Sequence, residues 1–325
     1  METRRSGEVI VVGGGVIGLT TAVVLAESGR RVRVWAREPA ERTTSAVAGA
    51  LWWPYRIEPE ALSGEWALAS LAVYAELAER PGETGVRMVE GVQAGLRLDE
   101  LGVWAARVPG LRETRGGEGG YAEAGLWARL PLIDMPVHLG WLRERFRAAG
   151  GVEEERSVKD LAEVHDLSGA DVVVNCTGLG ARDLVPDPAV RPVRGQLVVV
   201  ENPGITTWFT SAEHSAAQTT YFFPQPGGLI LGGTAEEDEW SLVPDPVVAE
   251  EIVRRCAVVR PEIAGARVIG HRVGLRPVRD VVRLDREVLV GGRVLVHNYG
   301  HGGAGITVAW GCAGAAARLA GGDGS

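Results

Sequence analysis

The sequence predicts an α/β protein in which a parallel βαβ unit is interrupted by a second, sheet-based (α+β) domain. Three observations support this prediction. Residues 8–12 (EVIVV) are a short β-branched run, which is typical of a buried strand. Residues 13–18 (GGGVIG) are a glycine-rich turn, and the apolar residues after it have helical spacing. Residues 31–35 (RVRVW) alternate as a second strand, which completes a βαβ unit within about 30 residues.

The remaining elements are predicted in chain order from the same kinds of pattern. A helix over 66–80 ends before Pro81, because proline cannot continue it. A second helix runs from its capping residue Asp134 to Gly150, with Pro136 in the first turn. We expect further strands at 171–176, 196–200, 220–223, 229–231, 267–276 and 294–297, and helices at 246–259 and 305–319.

The turn at 13–18 fits the pattern G-x-G-x-x-G. Gly13 allows the tight turn, Gly15 lets backbone amides approach a pyrophosphate, and Gly18 lets helix and strand pack closely. The N-terminus of the following helix presents N–H groups and a positive dipole to such an anion. The motif and its place between strand and helix therefore predict a Rossmann-like dinucleotide site.

The glycine turn does not distinguish a nicotinamide from a flavin dinucleotide. An acidic residue is expected at the end of the second strand to bind a ribose, and Glu38 is the only candidate there. Arg37 directly precedes it and is a candidate for binding a 2′-phosphate. The residues at this turn therefore leave an NAD(P)-dependent reductase open.

The composition excludes several classes of protein. The chain has 325 residues, of which 46% are hydrophobic and 23% charged, so it is neither disordered nor a coiled coil. Its net charge is −8 and it has no basic stripe, which argues against a nucleic-acid partner. Three widely spaced cysteines indicate neither a disulfide framework nor a zinc site.

The sequence also indicates no membrane partner. Residues 294–317 contain no Asp, Glu, Lys or Arg, but they are rich in glycine and predict a buried strand, loop and helix. The N-terminus has no apolar core followed by a cleavage site, so we expect no signal peptide and a cytoplasmic protein.

Four further blocks carry a resemblance to a known family. They are LVHNYGHGGAG at 295–305 followed by GCA at 311–313, GALWWPY at 49–55, VNCTG at 174–178 and GLRPVR at 274–279. With the glycine turn, they occur in the order typical of the D-amino-acid oxidases, which the sequence resembles over essentially its whole length.

The resemblance implies a Rossmann-like FAD-binding domain interrupted by a β-sheet-based substrate domain. We expect the FAD-binding domain to comprise residues 1–51, 135–190 and 279–325. The substrate-binding domain then comprises residues 52–134 and 191–278.

The resemblance implies non-covalent FAD and the positions that contact it. A helix that begins near Gly305 would direct its N–H groups at the flavin carbonyl, where negative charge accumulates on reduction. The matching positions are Gly15, Val16, Ile17, Thr43, Thr44, Ser45, Ala50, Leu51, Val158, Thr177, Gly302, Gly303, Gly305, Ile306 and Thr307. Gly13 and Gly18 of the glycine turn, and Arg37 and Glu38 at the end of the second strand, complete the predicted cofactor contacts.

The resemblance also implies an amino-acid site. Arg276 matches the arginine that binds the substrate carboxylate, a task suited to the paired N–H groups of a guanidinium. Tyr221 matches a second carboxylate contact, and the Gly303 carbonyl matches the acceptor for the substrate amine. The side-chain pocket matches Leu51, Trp53, Phe209 and Phe223, which are all apolar.

Two departures bear on specificity. Ala235 follows the turn at 232–234, where D-aspartate oxidases carry an arginine for a second carboxylate. An unpaired buried carboxylate is unfavourable, so we expect a preference for neutral, apolar D-amino acids. Ala217 stands where family members often carry a lid tyrosine, which predicts a more open entrance.

The implied reaction is oxidative deamination. A hydride moves from Cα to flavin N5, water hydrolyses the imino acid to a 2-oxo acid and ammonia, and oxygen accepts the electrons to give hydrogen peroxide. We expect no side-chain base; His214, His271, His297 and His301 are the alternatives. We also expect no metal, because the residues between His297 and His301 are not helical.

The partners are thus a D-amino acid and oxygen, and the oligomeric state, monomer or homodimer, is open. D-aspartate oxidase and glycine or sarcosine oxidase are alternatives within the same superfamily. An NAD(P)-dependent reductase and a non-catalytic FAD-binding protein are alternatives of another class.

Overall fold

The computed structural model describes residues 7–54, 56–121, 123–211 and 218–321. Its strands are β1 (Val9–Val12), β2 (Val32–Ala36), β3 (Val86–Ala94), β4 (Arg112–Thr114), β5 (Gly125–Ile133), β6 (Val152–Glu155), β7 (Val172–Asn175), β8 (Arg191–Val200), β9 (Trp208–Ser211), β10 (Gln218–Gln225), β11 (Gly228–Thr234), β12 (Glu236–Glu237), β13 (Val268–Val288) and β14 (Val294–His301). Its α-helices are α1 (Val16–Glu27), α2 (Glu60–Leu77), α3 (Pro81–Thr84), α4 (Met135–Ala148), α5 (Leu161–Ser168), α6 (Ala181–Leu184), α7 (Pro246–Val259) and α8 (Gly305–Gly321). The predicted α/β fold class is confirmed.

The first βαβ unit lies in a parallel region of the sheet with the strand order β14-β7-β1-β2-β6. β1 is buried along its whole length, as expected for a parallel strand that is covered on both faces. Val9 and Val11 face the core in which α1 packs against α4 and α8. Ile10 and Val12 face the opposite core, which contains Trp35 and the apolar side of α5.

The other strands form a mainly antiparallel region in the order β4-β5-β3-β9-β10-β11-β8-β13. Among these described strands, β3 and β9 are the pair that runs parallel. The short β12 pairs with β8 off this path. One face of the region is covered by α7, and the other face contributes Leu197, Val199 and Ile230 to the core that α1 and α8 also enter.

β13 joins the two regions of the sheet. Up to Val278 it pairs with β8, and from Val278 to Val288 it pairs with β14. We predicted a strand only over 267–276, whereas the observed strand has 21 residues because it serves two neighbours in succession. Since the sheet is continuous through β13, the division into two domains stays a prediction.

The uncharged stretch 294–317 folds as β14, a 3₁₀ turn and most of α8. This is the predicted buried strand, loop and helix. In the ranges that the structure describes, no helix combines the length and the hydropathy that a bilayer span requires.

The carboxyl ends of β1, β7 and β14 meet at one edge of the parallel region. Gly13, Cys176 and Gly302 directly follow these three strands. In open α/β sheets, ligands bind at this edge.

Candidate active site

A large cavity lies at this edge, between the parallel strands and the inner face of the antiparallel region. Its volume is about 1670 Å³, more than the roughly 300–1,000 Å³ of an ordinary small-molecule pocket. Predicted site residues that line it are Gly13, Gly15, Val16, Ile17, Arg37, Glu38, Thr43, Thr44, Ser45, Ala50, Leu51, Trp53, Val158, Thr177, Tyr221, Phe223, Arg276, Gly302, Gly303, Gly305 and Ile306. Gly18, Phe209 and Thr307 do not line it. The volume suits a dinucleotide together with a small substrate.

The glycine turn opens the N-terminus of α1 toward the cavity. Gly13 has φ +121°, and a Cβ on it would overlap the carbonyl oxygen of Cys176. Gly15 is the N-cap of α1, and the Val16 amide donates a hydrogen bond of 3.0 Å to Ser45 Oγ. The Ser45 hydroxyl therefore occupies the kind of position that a phosphate oxygen takes at a helix N-terminus.

Gly18 lies under the turn rather than on the cavity wall, which corrects its assignment as a cofactor contact. A Cβ on Gly18 would overlap the carbonyl oxygen of Gly13, which belongs to the backbone and cannot yield. The residue is glycine because α1 packs closely on β1 at this point.

The end of β2 contributes charged and aromatic groups. Arg37 Nε donates to Glu38 Oε1 at 3.2 Å, and both exposed side chains line the cavity. Arg156 and Trp35 also line the cavity, although they were not predicted to do so. The Arg156 guanidinium lies 4.0 Å from the centroid of the Trp35 ring. This is cation–π geometry. Arg156 follows β6, and only the pairing of β6 with β2 brings it to this place.

Thr177 follows β7 and is held by Asn175. Asn175 Oδ1 accepts hydrogen bonds from the Thr177 amide at 3.2 Å and from Thr177 Oγ1 at 2.7 Å. The Asn175 Nδ2 group therefore donates to His297 Nδ1, 3.3 Å away, and the proton of this imidazole lies on Nε2. Burial lowers the pKa of His297, and the Arg283 guanidinium lowers it further, so the ring is neutral at pH 7.

Asp285, Glu287 and His297 approach within 4.8 Å of one another away from the cavity. Arg283 donates to the Asp285 carboxylate at 3.1 Å and also to that of Glu287. Because Arg283 pairs with both carboxylates, these residues form an ion-pair network, and the absence of a metal stays a prediction.

The turn before α8 forms another part of the wall. Gly302 has φ +54°, a conformation that favours glycine. Thr307, in the first turn of the helix, accepts a hydrogen bond from the Trp53 amide at 3.2 Å and donates one to the Trp53 carbonyl at 3.0 Å. Its hydroxyl thus fixes the chain that carries Trp53 and does not line the cavity, which corrects its assignment as a cofactor contact.

Arg276 projects from β13 across β8. Its Nη1 donates to the carbonyl oxygen of Thr234 at 2.9 Å. The guanidinium lies over Gly195, where a Cβ would be 2.5 Å from Nη2. Thr44 Oγ1 donates to the Leu275 carbonyl at 3.1 Å and ties the preceding residue to the cofactor side of the cavity.

The side chains of Tyr221 and Arg276 contact neighbouring residues of β11. The Tyr221 ring stacks on Phe223 at 4.8 Å between centroids. A Cβ on Gly232 would overlap the ring, and one on Gly233 would lie 2.8 Å from the hydroxyl. Because the Arg276 guanidinium reaches Thr234, the next residue, the predicted carboxylate ligands converge on residues 232–234.

Phe209 does not belong to the side-chain pocket, and that prediction is wrong. Its ring stacks on Tyr121 at 5.1 Å and on Phe222 at 5.2 Å, on the face that α7 covers. Thr210 lines the cavity instead and pairs with Tyr221. Side chains alternate along a strand, so an error of one residue exchanges the two faces.

The predicted alternatives for a catalytic base differ in position. Of the four histidines considered, His301 lines the cavity, whereas His271 and His297 do not, and His214 lies outside the described residues. Burial lowers the pKa of His301 to about 3, so it is a poor proton acceptor near neutral pH. Ala217 also lies outside the described residues, and the predicted open entrance stays a prediction.

Comparison with known proteins places this geometry in a family. Residues 8–319 match the model of the DAO family, described as FAD dependent oxidoreductase. A D-amino-acid oxidase of Streptomyces coelicolor is 71% identical over 98% of this chain and 98% of its own length. A D-amino-acid oxidase of Rubrobacter xylanophilus is 49% identical over 99% and 98%. The fold of a glycine oxidase from Bacillus cereus matches with a TM-score of 0.80 at 19% identity, covering 98% of this chain and 96% of that one.

The chain belongs to the DAO family of FAD-dependent oxidoreductases. It is an enzyme, and its cofactor is FAD, as we expected. The residues present fit this group, because the cavity is large enough and the glycines at 13 and 15 leave a cradle at the N-terminus of α1.

Proposed function

We propose that the protein oxidatively deaminates D-amino acids, with non-covalent FAD as cofactor and oxygen as electron acceptor. The observation that carries the proposal is the convergence of Arg276 and Tyr221 on one wall of the FAD cavity. Its relatives at 71% and 49% identity are D-amino-acid oxidases and support the same activity.

Arg276 and Tyr221 would hold the substrate carboxylate. Within the described residues, Nη1 of Arg276 donates to the Thr234 carbonyl, while Nη2 has no hydrogen-bond acceptor. The hydrogen bond to the Thr234 carbonyl orients the guanidinium plane and leaves Nη2 available to bind an anion. A charge-assisted hydrogen bond of this kind contributes roughly 1.5–3 kcal/mol.

The backbone before α8 would hold the substrate amine. Gly303 lines the cavity, and its carbonyl oxygen is the acceptor that we assign to the amine. Anchoring both the carboxylate and the amine fixes the orientation of Cα, which is the main contribution that the protein makes.

When bound, FAD supplies the redox chemistry, in which the substrate loses a hydride from Cα and the electron pair passes to oxygen. Water converts the imino acid to a 2-oxo acid and ammonia, and reduced oxygen leaves as hydrogen peroxide. Neither His301 nor Cys176 of the cavity wall is suited to act as a base near neutral pH, because the pKa of His301 is about 3 and burial raises the pKa of the Cys176 thiol to about 12.

The residues of the cavity wall indicate that acidic substrates are oxidised slowly. Ala235 lines the cavity directly after Thr234 and contributes no charge to it. Ala235 supplies no cation to a second carboxylate, and burial of an unpaired carboxylate costs several kcal/mol. Leu51 and Phe223 are apolar and would contact the side chain near Cβ.

The two-domain division and a cytoplasmic location are part of the same proposal. The division is supported by the change of pairing at β14, which runs parallel to β7 and antiparallel to β13. A reducing compartment is supported by the three cysteines, which are free and buried.

Anaerobic mixing of the FAD-loaded protein with D-alanine, L-alanine, glycine and D-aspartate tests the activity. Bleaching of the flavin absorbance at about 450 nm by D-alanine is expected, with at least roughly 100-fold slower bleaching by the other three. Equal bleaching by glycine would favour a glycine oxidase instead. No bleaching by any D-amino acid would overturn the proposal in favour of a non-catalytic flavoprotein.

A further inference from the structure

A second cavity of about 320 Å³ adjoins the first. Trp53, Gln93, Thr210 and Thr219 line both, so the two volumes share a wall. The Trp53 ring meets Trp104 edge-on at 5.4 Å between centroids, and Trp104 also lines the second cavity. The proposed substrate site therefore does not end at Trp53.

The shared wall is part of a ladder across the sheet. Gln93 on β3 pairs with Thr210 on β9, and Thr210 pairs with Tyr221 on β10. Adjacent strands lie about 4.7–4.9 Å apart, so Gln93 is about 9–10 Å across the sheet from Tyr221. A long substrate side chain that starts beside Tyr221 can cover this distance, whereas the side chain of alanine or valine cannot.

Gln93 presents an unsatisfied acceptor at the end of this ladder. Its side chain is only 4% exposed, and its Nε2 donates to the Ala94 carbonyl at 3.3 Å. Within the described part of the chain, its Oε1 accepts no hydrogen bond. Because Gln93 lines both cavities, a ligand that brings a hydrogen-bond donor can pair with this oxygen.

The charges around the second cavity favour a cation. Glu58, Glu60 and Glu100 line it, and Arg56 is the one basic residue on its described wall. The excess of carboxylates makes the potential negative. A terminal ammonium or guanidinium is attracted there, whereas a terminal carboxylate is repelled.

We propose that the second cavity extends the substrate side-chain pocket past Trp53, and that Gln93 and the carboxylates select long D-amino acids ending in an ammonium or guanidinium. This inference rests on the proposed D-amino-acid oxidation and changes the expectation of a purely apolar pocket. The apolar stem contacts Leu51, Phe223 and Trp53, and the terminal donor reaches Gln93.

The test compares D-lysine with D-norleucine, which has the same carbon chain without the ammonium. For the FAD-loaded protein, kcat/KM for D-lysine should exceed that for D-norleucine by about tenfold. Gln93→Leu, a change of similar size, should lower this ratio by about tenfold, which equals about 1.4 kcal/mol. Glu60→Gln should lower it about threefold, with the effect of Glu60 weakening as salt rises.

Glu90→Gln is the matched control, because Glu90 is an exposed carboxylate on the same strand as Gln93 and lines neither cavity. The ratio should be unchanged in this variant. A wild-type preference for D-norleucine, or a Gln93→Leu variant that keeps the wild-type ratio with full FAD content, would overturn the inference. Failure of D-alanine to reduce the flavin would instead overturn the proposed function.

Discussion

The Gly195→Ala substitution tests whether the position of the Arg276 guanidinium controls catalysis. A Cβ at position 195 would lie 2.5 Å from Nη2 and 2.6 Å from both Cζ and Nη1. Ordinary contacts begin near 3.4 Å, so the guanidinium must retreat by 3.4 − 2.5 = 0.9 Å. It is the end of a flexible side chain, so the fold tolerates the change while the substrate anchor moves.

A displacement of about 1 Å at a positioning group costs roughly 100-fold in rate. We therefore expect kcat/KM for D-alanine to fall about 100-fold, which corresponds to about 2.7 kcal/mol. The rate of flavin reduction by D-alanine under anaerobic conditions, measured by stopped-flow absorbance, is the assay. FAD content and melting temperature should stay close to those of the wild type.

Gly270→Ala is the matched control on β13, because a Cβ there has no atom within 4 Å. It should leave the rate of flavin reduction unchanged. A Gly195→Ala protein that reduces its flavin within twofold of the wild-type rate would refute the role assigned to the guanidinium.

Three other predictions concern the cofactor turn, the pH dependence of stability and substrate choice. Gly18→Ala should destabilise the apoprotein by roughly 1–3 kcal/mol in urea unfolding, because its Cβ would overlap the Gly13 carbonyl; an unchanged midpoint would contradict this. Burial lowers the pKa of His138 to about 4, against an ordinary 6.5, although its hydrogen bond to the Thr84 carbonyl opposes the shift. The unfolded state therefore binds the extra proton, and stability should fall by up to about 1.4 kcal/mol per pH unit as pH drops from 6.5 to 4. His138→Gln should reduce the dependence of the unfolding free energy on pH by about the contribution of one proton. An unchanged pH dependence would show that His138 is not its source. Ala235→Arg adds a cation to the cavity wall and should raise the ratio of D-aspartate to D-alanine turnover at least roughly tenfold; an unchanged ratio would show that a second carboxylate does not reach this position.

Local patterns predicted the parts of the site that lie close together in sequence. The strand at 8–12 and the glycines at 13 and 15 form a helix N-terminus by local chemistry alone, and they line the cavity as expected. Arg276 was found by the block GLRPVR that contains it, and Tyr221 by its match to the same family; both line the cavity.

Residues brought together only by strand pairing were missed. Gln93 and Thr210 become neighbours because β3 and β9 run side by side, although 117 positions separate them in the sequence (210 − 93). Phe209 was assigned instead of Thr210 by its match to the family. The direction in which each side chain of β9 faces follows only from the pairing of β9 with β10. Arg156 reaches Trp35 for the same kind of reason.

The shared strand β13 limits how this enzyme can be recombined with its relatives. A chimera joined at 278/279, the boundary suggested by sequence blocks, would place its junction inside a hydrogen-bonded strand. Val278 pairs with Arg191 on one side and with His301 on the other, so mismatched parental halves would disturb both neighbours at once. Crossovers in the loops at 201–207 and 289–293 would keep β13 from a single parent.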